Sequence, residues 1–237
     1  MLKYRNLGPQ AALAFILLPT LVGRALGQGP ARASRTDSAV FSLSPESILE
    51  VHAGKTGLLS GFGHEHRVRA HAFSGTVVYF PGDPGRSRVS VTVLTNSLRV
   101  VPEADSADIP EIERTMREKT LRVDSFPEIR FVSASVTPLP PSPSPAAGGG
   151  ERGAEPSVLR VAGDLTMVGV TRPVSVDMTL QVAGDTVRAE GSFVVKQTDF
   201  GIRPFSKALG MVKVKNEVRF ELRVVAAVET AGPRGRP

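Results

Sequence analysis

The sequence predicts an all-β protein whose antiparallel strands, each apolar on one face, close as a barrel or pack as a sandwich. Apolar and polar residues alternate at period two in about eight runs along the 237 residues, and side chains on a strand alternate faces with that period. Beyond the amino-terminal segment only one stretch has helical character. With so little helix to cover the apolar faces, the sheet has to cover itself. Cysteine is absent, so disulfides and thiol chemistry are excluded and a hydrophobic core must hold the fold.

Residues 1–27 read as a secretory signal. Lys3 and Arg5 precede an apolar run from Ala11 to Val22, followed by the small-x-small triplet Ala25-Leu26-Gly27, and the run is short for a bilayer span. Cleavage is expected after Gly27, with Ala31-Arg32-Ala33 as the second choice. Loss of Lys3, Arg5 and Arg24 lowers the formal net charge from +6 to +3. No Lys/Arg block then remains to mark a nucleic-acid surface. A lipid-anchoring motif needs cysteine, so the exported chain is expected to be soluble, with no stable membrane insertion.

Residues 28–40 are small and polar and read as a flexible leader, with the barrel domain at 41–227 and a disordered tail at 228–237. Ser47–Gly54 reads as a strand, Leu58–His66 follows, and Val68–Phe80 is a longer strand in which Gly75 is expected to make a bulge or bend. Pro81-Gly82-Asp83-Pro84-Gly85 is a turn. Val89, Val91 and Val93 point inward from the next strand. Residues 103–120 break the alternation; Pro110 suits the first turn of a helix running through Ile112 and Met116, with Glu111 and Glu113 near its positive end. That short, charged helix is expected to act as a lid or plug. Phe126–Val136 is extended. Thr137–Ser157, rich in Pro, Ser, Ala and Gly, is a disordered insertion in a hairpin. Val158–Val182 forms two strands around a tight Met167–Pro173 corner, the second with Val174, Val176, Met178, Leu180 and Val182 on one face. Thr186–Lys196 and Met211–Val225 complete the set, with Phe200–Phe205 irregular between them.

Several ordered strings, FSGTVVYFP (73–81), SLRV (97–100), FPEIRFVSASV (126–136), GDLTMVGVTRPVSVDMTL (163–180), QTDFGI (197–202) and VKNEVRFEL (214–222), resemble the YceI-like family of lipocalin-like periplasmic polyisoprenoid-binding proteins over about residues 40–226. The resemblance implies an antiparallel eight-stranded barrel with one short helix, an elongated apolar cavity and a periplasmic address. It also implies a long isoprenoid or fatty-acyl ligand, no cofactor and no catalysis. The 137–157 insertion is longer than the family's usual hairpin.

The residues taken to face such a ligand are Phe62, His64, His66, Phe73, Val91, Leu98, Phe126, Phe131, Val176, Phe193, Phe200, Ile202 and Arg203. Small β-branched residues at most inward positions leave room along the axis, and burial of a chain there is worth about 0.8 kcal/mol per methylene. Arg99, Arg172, Lys196 and Arg203 lie beside turns, where a cation meets an anionic head. His64 and His66 share a strand face and offer two imidazoles to a metal, with His52 or a carboxylate as third ligand, the basis of an alternative metal-binding or stress-response reading. Their other reading, preferred here, is hydrogen bonding at the barrel rim. A Ser60/His64 hydrolase with Asp83 or Asp105 lacks a nucleophile elbow, and Gly61-x-Gly63 lacks the third glycine of a dinucleotide loop. Exposed edges of an imperfectly closed barrel would allow a homodimer.

Overall fold

In the computed structural model, which describes residues 38–56, 66–102, 108–140, 157–207 and 212–228, twelve strand segments form one antiparallel sheet. They are β1 (Ala39–Leu43), β2 (Ile48–Thr56), β3 (His66–Ala70), β4 (Phe73–Tyr79), β5 (Arg88–Leu94), β6 (Leu98–Val100), β7 (Glu128–Leu139), β8 (Ser157–Met167), β9 (Val170–Ala183), β10 (Thr186–Lys196), β11 (Ser206–Lys207) and β12 (Val212–Val228). β1 with β2, β3 with β4, and β5 with β6 are each two halves of one kinked stave. Eight staves therefore follow one another in chain order, and β12 pairs back onto both β1 and β2 to close the barrel. β11 is a short addition to β12. The secretory signal, most of the leader, Phe62, His64, residues 141–156 and the tail from 229 lie outside the described residues.

The three kinks fall in neighbouring staves, and hydroxyl groups supply the hydrogen bonds that the interrupted ladder lacks. Ser47 Oγ accepts from Val225 N (3.0 Å) and donates to Val225 O (2.9 Å). Ser97 Oγ accepts from Ala72 N (2.9 Å) and donates to Leu94 O (2.7 Å). Thr95 Oγ1 donates to Phe126 O at 2.8 Å. All three residues are buried, where an unpaired amide or carbonyl is costly and a short hydroxyl side chain can satisfy it.

The structure corrects several local expectations. The ladder between β4 and β5 runs without interruption through Gly75, so there is no bulge there. A Cβ at Gly75 would lie 2.8 Å from Ser90 O and 2.9 Å from Leu43 Cδ1, and the glycine serves close packing. The bulges lie in β7, between Ser133 and Ser135, and in β12, between Val214 and Val218. The ladder already includes Ala39 and Val40 at one end and Thr137 to Leu139 at another, because pairing with a regular partner overrides weak local propensity. His71-Ala72 divides the single strand expected over 68–80.

The β8–β9 hairpin turns on Val168 (φ 49°) and Gly169 (φ 75°), the double positive φ that suits the twist of two-residue hairpins. Valine is strained there, and its buried side chain joins the core in compensation. Helix α1 (Ile109–Thr115) has Pro110 in its first turn, continues as a π-helical turn over Met116–Leu121, and ends at Arg122 in the left-handed region. Glu113 Oε1 accepts from Val100 N (2.9 Å), tying α1 to the edge of β6.

The wall is unevenly zipped. β10 pairs with β9 only over Thr186–Gly191, and β9 only over Met178–Ala183. Below Gly191, β10 stays with β12 while β9 stays with β8. Phe200, 1% exposed, and Ile202, both from the segment after β10, join the core at this end, and the 3₁₀ turn Gln197–Phe200 lies against β9.

Candidate functional site: the barrel cavity

Inward residues of all eight staves line one cavity of about 450 Å³ that runs the length of the barrel. Its wall is aliphatic and aromatic for most of that length: Val68, Val89, Val91 and Val93 on one side, Leu159, Val161, Val174 and Val176 on another, with Phe131, Phe193 and Phe220 between. Phe193 and Phe220 stack at 4.9 Å between centroids. At the far end Phe41, Val187 and Ala226 are packed and buried. The opposite end is polar. There Lys55, His66, Asp108 and Glu111 join the lining, beside Ile112 and Met116 of the helical segment and Phe205, which is 38% exposed. The site is therefore a dry channel with one charged mouth, partly covered by α1.

Alternation along β2 sends Leu49, Val51, Ala53 and Lys55 to the lumen and leaves Glu50 and His52 to the opposite face. Glu50 is nonetheless 2% exposed. Arg69, its neighbour across β3, donates from Nε to Oε1 at 2.7 Å. Burial raises the Glu50 pKa, but the Arg69 hydrogen bond and charge, with Arg67 and His52 adding to them, outweigh it and hold the carboxyl below its ordinary value. His52 Nε2 lies 3.6 Å from Glu50 and 3.3 Å from Glu221. It belongs to this ionic cluster on the wall. Among the described residues no three His, Asp or Glu side chains come together in a way that would hold a metal ion, and His64 lies outside them.

Of the residues singled out from the sequence, His66, Val91, Leu98, Phe131, Val176, Phe193 and Ile202 line the cavity. Four others sit elsewhere. Phe73 packs against the core at the β3–β4 kink. Phe126 lies under Gly169, where an added Cβ would come 2.6 Å from its ring, with the Arg122 guanidinium 4.7 Å over the ring centroid. Phe200 fills the core beside β9, and Arg203 is exposed. Arg99 and Arg172 are exposed and donate to nearby backbone carbonyls; Lys196 is exposed as well. Sequence reasoning missed Lys55. Its signal was a lysine in phase with Leu49, Val51 and Ala53.

A closed eight-stranded antiparallel barrel around an elongated apolar cavity defines a lipocalin-like β-barrel. The chain belongs to the YceI-like family, whose domain matches residues 49–226. Protein YceI of Salmonella arizonae is 28% identical over 138 residues, 55% of this chain and 60% of that protein; the chain thus spans less than two thirds of the length of such relatives. BcnA of Burkholderia cenocepacia shares the fold at a TM-score of 0.56 and 18% identity, over 78% of this chain and 99% of that one. A polyisoprenoid binding domain from Saccharophagus degradans, implicated in plant cell wall breakdown, does so at 0.55 and 12% identity, over 81% and 99%.

Proposed function

We propose that this protein is a periplasmic lipid carrier that sequesters a long isoprenoid or fatty-acyl chain in its barrel, without chemistry on the ligand. The observation that carries this reading is the cavity itself, apolar along most of its length and about 450 Å³ in volume. An empty apolar void of that size forgoes packing that a bound chain would restore. The tail would lie against Val91, Leu98, Phe131, Val176 and Phe193, and the head near His66 and Ile202. Family membership and the fold shared with a polyisoprenoid binding domain support the same reading. Native mass spectrometry of protein isolated from its own host without detergent tests it. A non-covalent adduct with the mass of a prenyl or acyl lipid is expected. Protein that is consistently apo, and that takes up neither chain type when they are added, would refute it.

A further inference from the structure

The charged mouth contains a lysine that no acid pairs with among the described residues. Lys55 is the last inward-facing residue of β2, opposite Val214 of β12, with which it lines the cavity. It is half-buried, and its ammonium makes no hydrogen bond or ion pair among the described residues. Glu50, by contrast, is matched by Arg69. A half-buried ammonium gives up part of its hydration, which no side chain among the described residues returns.

Two further cations stand at this corner. Lys213 and Lys215, both exposed, flank Val214, and the stem of Lys215 lies over Gly54, where a Cβ would come 3.1 Å from Lys215 Cδ. This corner is held in place. Across the β12 bulge Gln197 Nε2 donates to Lys215 O at 2.8 Å, Thr198 N donates to Asn216 Oδ1 at 3.0 Å, and Asn216 Nδ2 donates to Thr198 Oγ1 at 3.0 Å. The acids of the mouth, Asp108 and Glu111, begin the helical segment tied to β6, with β3 standing between β6 and β2 in the sheet. Both are exposed to water, where their charges are screened more than one at a half-buried site.

We propose that Lys55 anchors the anionic head, phosphate or carboxylate, of the amphiphile whose tail fills the cavity, an assignment that rests on the carrier reading above. A lysine ammonium is a mobile point charge suited to such oxygens, and a charge-assisted hydrogen bond to it adds to tail burial.

The test compares matched heads on one tail: farnesyl phosphate with farnesol, and hexadecanoate with hexadecanol, each displacing a fluorescent chain probe at neutral pH. The wild type is expected to bind at least one anion about tenfold more tightly than its alcohol. Lys55→Met should abolish that preference, so that each anion binds no more tightly than its alcohol, and Lys55→Arg should keep it. Preference for one anion alone identifies the head as phosphate or carboxylate, and either result supports the assignment. Equal binding of anion and alcohol, or a preference that survives in Lys55→Met, overturns the role of Lys55 alone. Failure of all four probes to bind overturns the carrier reading with it.

Discussion

Val91 lies on the cavity wall with Gly75 opposite it on β4 and Phe131 on β7. Val91→Phe places about four more carbon atoms on the axis, displacing about four methylenes of a bound chain, and at about 0.8 kcal/mol each that is roughly 3 kcal/mol. Affinity for a chain that fills the barrel should fall about two-hundredfold. The new ring enters the open cavity rather than the packed core, so the ligand-free protein should melt no lower than the wild type. Val132 provides the control: one residue along the same strand, it is 56% exposed, and Val132→Phe should leave binding unchanged. Displacement of a fluorescent fatty acid by unlabelled chain, with calorimetry on the same samples, reads both quantities. If Val91→Phe binds the chain as tightly as the wild type, the chain does not lie along this axis.

Three further outcomes follow from the framework around the cavity. Ser97→Ala leaves Ala72 N and Leu94 O without their partner and should cost about 1–3 kcal/mol in urea denaturation; wild-type stability would mean water replaces the hydroxyl fully. Gly163→Ala puts a Cβ 2.3 Å from Val132 O and 2.7 Å from Ser133 Cα, both backbone atoms. Overpacking of about 1–3 kcal/mol should appear as a thermal midpoint lower by roughly 2–12 °C, and an unchanged midpoint would show that the β7 bulge yields. The Glu50 carboxyl has a folded-state pKa below its ordinary 4.5, so its contribution is complete above that value and is lost as pH falls through the lowered one. The stability gap between wild type and Glu50→Gln should therefore be constant at neutral pH and narrow only under acid. A gap that widens on acidification would reverse the assignment.

The barrel was legible because its walls follow the simplest rule available to a chain. Val174, Val176, Met178 and Leu180 alternate with polar residues, and the register places them inward as the alternation requires. Kinks were harder to read. Nothing local in His71-Ala72 announces a break, because that break is repaired by the Ser97 hydroxyl on a neighbouring stave. The phenylalanines divided for a similar reason. Phe131 and Phe193 are in phase with their strands and reach the lumen, whereas Phe126 and Phe200 leave strands for turns, where phase is lost and packing beneath Gly169 or beside β9 decides their place. Lys55 was overlooked because charge suggested the outer face, although its phase did not.

The incomplete pairing of β9 with β10 has a mechanical consequence. A fully laddered cylinder of eight strands has a fixed girth, since every change of bore must break main-chain bonds. This protein is closer to a split sleeve: zipped at its far end, and at the mouth stopped by a wedge of core side chains that includes Phe200 and Ile202. Between β9 and β10 at the mouth, side-chain packing stands in for the ladder, so a wider bore there would break no ladder bonds between these two strands.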